Sequence, residues 1–160
     1  MAHAPVTRPQ RYARHVVGEA DQLADARWES RPYAYAHVTL ARSLRAAAQA
    51  RAWASAEPAG AIAEAEREAV MLALSELVTN AVRHGAGPEG STVRVHLGVA
   101  SRCLRLEVHD DGDGFIAGAI PRVVDDGPGG RGLMIVDALV SRWGAHGNGH
   151  GHCVWLEIDR

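Results

Sequence analysis

The sequence predicts a single α/β domain, and three observations carry that expectation. Two segments repeat apolar residues with the helical period. Two later segments alternate between apolar and polar residues, and a glycine-rich stretch then separates them from a further helix and a terminal hairpin. The chain has 160 residues, 47% hydrophobic and 22% charged, which suffices for one buried core and leaves too little for a second domain.

Residues 1–35 place Pro5, Pro9 and Pro32 around a short helical pattern of Tyr12, Val16, Leu23 and Trp28. They read as an N-terminal arm of unassigned role, leaving 36–160 as the folded domain. From His37 to about Ser55, Leu40, Leu44, Ala47, Ala48 and Arg51 lie in an alanine-rich stretch that favours helix and ends at Glu57-Pro58-Ala59-Gly60. A second helix is expected from about Ile62 to His84. There Gly85-Ala86-Gly87-Pro88 combines a terminal glycine with a proline that cannot continue the helix.

Two strands follow. Val93, Val95, Leu97 and Val99 alternate with Thr92, Arg94 and His96, then Leu104, Leu106 and Val108 alternate with Arg105, Glu107 and His109, with a hairpin turn at 100–102. Phe115–Gly130 reads as a long loop of the kind usually retained for function. A helix begins near Arg131 with Leu133, Val136, Leu139 and Val140 on one face, and Ser141–Ala145 and His152–Ile158 form a hairpin about Gly147-Asn148-Gly149.

Composition narrows the function. A net charge of −2 gives no broad attraction to nucleic acid or anionic lipid. No apolar run approaches the roughly 20 residues of a membrane span, and Met1-Ala2-His3-Ala4-Pro5 opens no secretory segment. Cys103 and Cys153 lie in strand-like runs with neither a disulfide framework nor paired metal-ligand spacing, so a reducing, cytoplasmic setting is expected. All 17 basic residues are arginine. Phosphate chemistry that needs a lysine, such as the P-loop or the strand lysine of ordinary protein kinases, is thereby excluded.

Three segments carry chemistry. At about 100° per residue, Glu76, Asn80 and Arg83 share one stripe of the second helix, opposite the apolar stripe Val70, Leu74, Leu77 and Ala81. The polar stripe has two readings, a solvated face or a site where carboxylate, amide and guanidinium meet magnesium and phosphate. Asp110 has the buried parity of Leu104, Leu106 and Val108, so its carboxylate needs a partner, and Gly112 and Gly114 after it permit close backbone approach or simply end the strand in a turn. Gly127-Pro128-Gly129-Gly130-Arg131-Gly132-Leu133 enters a helix directly, as a phosphate cradle or as a structural turn. His146, His150, His152 and Cys153 are read as solvated groups of a glycine-rich hairpin rather than a metal site, His84 as a helix-terminal cation, and Trp143 and Trp155 as strand aromatics.

In this order, Glu76-x-x-x-Asn80, Asp110-x-Gly112-x-Gly114 and Gly130-x-Gly132-Leu133 resemble the N, G1 and G2 boxes of the GHKL ATP-binding superfamily, the Bergerat fold. Ser75-Glu-Leu-Val-Thr-Asn-Ala-Val-Arg-His-Gly85 and the ending Arg142-Trp143-Gly144…Val154-Trp155-Leu156 are similar to its anti-sigma-factor serine kinases, in particular single-domain actinobacterial members. The resemblance covers about residues 36–158. It implies a two-layer α/β sandwich with helices on one face of a mixed, mostly antiparallel sheet. It also implies ATP and Mg2+ as cofactors, Asn80 as the magnesium ligand and Glu76 as the catalytic residue that polarises the attacking hydroxyl. Asp110 becomes the acceptor of the adenine amine, with Gly112 and Gly114 shaping its pocket. Gly130, Arg131, Gly132 and Leu133 carry phosphate, joined by Arg83.

The expected partners are an anti-sigma-factor antagonist and a sigma factor, with a homodimer implied by resemblance alone. Against a kinase stands the alternative of an ATP-sensing module that sequesters its partner without catalysis. It is motivated by Phe115–Gly129, which carries Asp125 and Asp126 and no Ser/Thr run to meet phosphate.

Overall fold

The computed structural model describes residues 34–56, 61–85, 87–111, 131–147 and 151–160. The arm expected before residue 34, the loop Phe115–Gly130 and the Asn148-Gly149 turn lie outside them. Within them run β1 (Ala34–Ala41), α1 (Ala46–Ala56), α2 (Glu64–His84), β2 (Thr92–Val99), β3 (Cys103–Asp110), α3 (Arg131–Leu139), β4 (Arg142–Gly147) and β5 (His152–Asp159). The strands form one five-stranded sheet in the order β1-β2-β3-β5-β4. Expected as mixed and mostly antiparallel, it is antiparallel at each of its four pairings.

The helix expected from His37 is corrected. Its first part is β1, whose Ala34, Ala36, Val38 and Leu40 turn inward while Tyr35, His37 and Thr39 are exposed. The helix begins at Ala46 and buries Ala46, Ala50 and Ala54, whereas Leu44, expected within the helix, is 95% exposed ahead of it. Alanine fits either period, so register with β2 decides the outcome: Val38 lies opposite Val95 and Leu40 opposite Val93.

α2 follows its apolar pattern closely. Val70, Ala73, Leu74, Leu77, Val78 and Ala81 are buried in the main core with Val93, Val95, Leu97, Leu104, Leu106 and Leu156 of the sheet. Its start is held by Glu66, whose carboxylate accepts from Ala63 N at 2.9 Å and from Arg160 Nε at 2.6 Å. The chain's last residue is thus tied to the first turn of α2.

The sheet's other face is built from charge. Across it Gly98, Arg105, Glu157 and Arg142 lie in one row, and His96, Glu107, Trp155 and Gly144 in the next. Glu157 is fully buried and accepts from Arg105 Nη1 at 3.0 Å and from Arg142 Nε at 2.5 Å. Arg105, 3% exposed, also donates to Glu107 at 2.7 Å and lies over the Trp155 ring at 4.6 Å. Burial alone would lower the Arg105 pKa, but its bonds to Glu107 and Glu157 hold it above the usual value. Burial likewise works to raise Glu107, yet hydrogen bonds from His109 and Arg105 bring it down to about 2. Gly144 leaves room for Trp155, since a Cβ there would stand 2.8 Å from the indole.

A buried carboxylate between two arginines is costly to disrupt from one side. Glu157→Ala should lower unfolding free energy by about 3–5 kcal/mol in urea titration, because it leaves Arg105 charged and under-paired. Arg94→Ala, which removes an exposed 3.4 Å contact to Asp111, should change it by less than about 1 kcal/mol.

Candidate functional site

The site is assembled where the C-terminal half of α2 meets the end of β3. With its buried stripe committed to the sheet, α2 carries Glu76 and Asn80 half-buried on the opposite side and Arg83 exposed in its last turn. The three residues grouped by helical period therefore share one accessible stripe. His84, also exposed, ends the same helix, where a cation suits the helix dipole.

Asp110 ends β3 with its carboxylate turned to the helix side, 6% exposed, as its parity requires. It lies opposite Val93 on β2 and His152 on β5. A Cβ placed on Gly85 would come 3.3 Å from Asp110 Oδ1, so the carboxylate stands directly against the chain leaving α2. That Cβ would also meet the Ala81 carbonyl at 2.3 Å. Gly85 has φ −61°, so the demand for glycine here is close approach rather than a left-handed backbone.

Two residues outside the sequence-derived set shape this corner. His152, grouped by sequence with solvated histidines, is buried, with Nδ1 3.9 Å from Asp110 Oδ2. Burial pushes its imidazole below the ordinary value, against the opposing pull of the Asp110 carboxylate. Arg42, just past β1, donates from Nη1 to Gly85 O and from Nη2 to Gly87 O at 2.9 Å. It staples the α2–β2 connection to the end of β1. Asp111 faces the other way, accepting from Thr92 N at 3.1 Å and Thr92 Oγ1 at 2.7 Å. The Thr92 hydroxyl bond is the main reason its carboxyl sits below the usual range.

Arg131, Gly132 and Leu133 open α3, as the glycine-rich helix entry requires. The helix packs against α2 and buries Val136 in the shared core. Asp137 on α3 accepts from Trp143 Nε1 at 3.0 Å. Gly112, Gly114 and Gly130 lie outside the described residues. The same side of the sheet thus carries a buried carboxylate against the end of α2, a half-buried carboxamide and carboxylate on α2, and a further helix, α3, packed on α2. Glu76 and Asn80 offer the hard oxygen donors that a magnesium ion takes.

A family profile described as a histidine kinase-like ATPase domain matches residues 39–158. No curated protein sequence matches the chain. Among solved structures, the RsbU and RsbW domains of Rv1364c from Mycobacterium tuberculosis match at TM-score 0.60 and 26% identity, over 79% of this chain and 32% of that one. The histidine kinase domain of a blue-light activated histidine kinase from Erythrobacter litoralis EL346 matches at TM-score 0.47 and 27% identity, over 58% of this chain and 44% of that one. The chain thus spans about a third of the first structure and under half of the second.

Arg42 generates a direct test of how the corner is held. Arg42→Ala should cost about 1.5–3 kcal/mol of stability, the range for hydrogen bonds from a charged donor, measured by urea unfolding. Arg42→Lys should recover only part of it, because one ammonium cannot span two carbonyls as the guanidinium fork does.

Proposed function

The chain belongs to the family of histidine kinase-like ATPase domains, and from that membership we propose an ATP-dependent serine kinase that phosphorylates an anti-sigma-factor antagonist and otherwise holds a sigma factor. The coarser part, an ATP-binding regulatory protein of the GHKL superfamily, is supported by the family together with the likeness to the RsbU and RsbW domains of Rv1364c. The finer part is supported by the likeness to the RsbU and RsbW domains of Rv1364c and by the resemblance of residues 75–85 to the anti-sigma-factor serine kinases. No described helix is long and apolar enough to cross a membrane, which fits a cytoplasmic regulator.

The observation that carries the reading is the buried Asp110 carboxylate at the foot of α2, on the side of the sheet where Glu76 and Asn80 remain accessible. On this reading Asp110 accepts from the adenine amine, a charge-assisted bond in a site screened from water. Gly85 keeps the chain leaving α2 from crowding that carboxylate, and Arg42 holds it in place. Asn80 supplies the amide oxygen for magnesium, and Arg83 and the α3 entry at Arg131, Gly132 and Leu133 face the phosphate end. Bound ATP and Mg2+ supply the phosphoryl group and the charge neutralisation for its transfer. Glu76 then accepts the proton of the attacking serine hydroxyl.

ATP should raise the melting temperature, and more so with magnesium than without. Asp110→Asn should weaken ATP binding by roughly 1.5–3 kcal/mol, about 10- to 100-fold, in calorimetry; unchanged affinity would remove Asp110 from the adenine pocket. Glu76→Ala should keep ATP binding and abolish transfer to the partner. Intact-mass measurement of an antagonist incubated with the protein and ATP decides between kinase and ATP-sensing sequestration: the first adds a phosphate to the partner, the second leaves its mass unchanged.

A further inference from the structure

The sheet face turned away from the helices gathers a carboxylate, an imidazole and a thiol at one point. Glu107 and His109 alternate on β3, and Cys153 lies directly opposite His109 on β5. His109 Nε2 stands 3.1 Å from Glu107 Oε2 and 3.7 Å from Cys153 Sγ, so one imidazole nitrogen faces both other donors. The three ligand atoms all lie within 4.8 Å of one another. Glu107 is oriented for this, because its other oxygen, Oε1, is occupied by Arg105 Nε at 2.7 Å. Such an outer contact that fixes a ligand's direction is the usual companion of a metal ligand.

We propose that Glu107, His109 and Cys153 form a site for a zinc-class divalent transition-metal ion, on the opposite side of the sheet from Asp110. Zinc bonds of about 2.0 Å to nitrogen and oxygen and about 2.3 Å to sulfur place tetrahedral donors about 3.3–3.6 Å apart. The spacings of 3.1 and 3.7 Å about His109 lie within a few tenths of an ångström of those values, and the Glu107–Cys153 pair, within 4.8 Å, closes onto the ion by side-chain rotation. Cys153 is buried, while Glu107 and His109 are half-buried, so the ion enters from the side of the imidazole and carboxylate. Water takes the fourth position, and the thiol proton of Cys153 passes to solvent as the thiolate forms. Thiolate and imidazole select against magnesium, which takes oxygen donors, so this site and the nucleotide's metal do not compete for the same ion. The ion would clip β3 to β5.

The test titrates Co2+ as an optical probe into full-length, reduced, chelator-treated protein, followed by Zn2+. One equivalent of Co2+ should bind with a thiolate-to-cobalt charge-transfer band, and Zn2+ should displace it, since zinc binds such sites more tightly. Cys153→Ser should abolish the band, and His109→Ala and Glu107→Gln should each weaken binding at least tenfold. Cys103→Ser should keep the band intact, since Cys103 sits at the far end of β3 opposite Asp159. Melting curves identify any variant that fails to fold, and the remaining two ligand variants then decide. Absence of a charge-transfer band in the parent protein, a band that follows Cys103, or stoichiometric binding unchanged by His109→Ala and Glu107→Gln overturns the proposal.

Discussion

A helix laid on a sheet has one side to give, and α2 gives Val70, Ala73, Leu74, Leu77, Val78 and Ala81. Each of its buried valines and leucines contributes roughly 1.5–3 kcal/mol by leaving water, which fixes the rotation of the helix firmly. That rotation fixes everything opposite. Glu76 and Asn80 are held off the core by residues that have no chemistry of their own, and a change of one residue in the helical phase would turn them into the core or out into solvent, according to its direction. The same packing brings the end of α2 onto β3, so that the Asp110 carboxylate stands against Gly85.

The sheet is used differently on its two sides. Its helix-covered side is apolar apart from the end occupied by Asp110 and His152, whereas the other side buries Arg105 and Glu157, with Trp155 against the guanidinium. Two arginines around one carboxylate make that arrangement tolerable, since each charge is both paired and hydrogen-bonded. Arg105 is the hub. It joins the buried pair to Glu107 and covers Trp155, so the position of Glu107 depends on a residue whose main partner lies a strand away.

Much of this was legible in the sequence, and the exceptions have physical reasons. β2 and β3 were readable because valine and leucine alternate with charged residues, and the inward parity of Asp110 followed from the same count. The polar stripe of α2 was readable because its apolar stripe is long. β1 was not, because its inward residues include Ala34 and Ala36, which carry little contrast, while Leu40 and Leu44 mimic a helical repeat across the strand's end. Arg42 and His152 were missed for another reason. Arg42 meets Gly85 across 43 residues, and His152 meets Asp110 through strand pairing, and no local spacing encodes either contact. The same holds for Cys153, which sequence grouped with its neighbours in the hairpin and the fold places against His109.

The two strand tryptophans lie on opposite sides of the sheet. Trp143 packs in the helix-side core with its indole N–H on Asp137 of α3, while Trp155 lies on the other side beneath the Arg105 guanidinium. Two of the chain's four tryptophans therefore mark the two faces separately. In a chain whose Trp28 and Trp53 are replaced by phenylalanine, emission from Trp143 would answer to its bond with Asp137 of α3 and emission from Trp155 to the charge of Arg105, so each face would carry its own optical reporter.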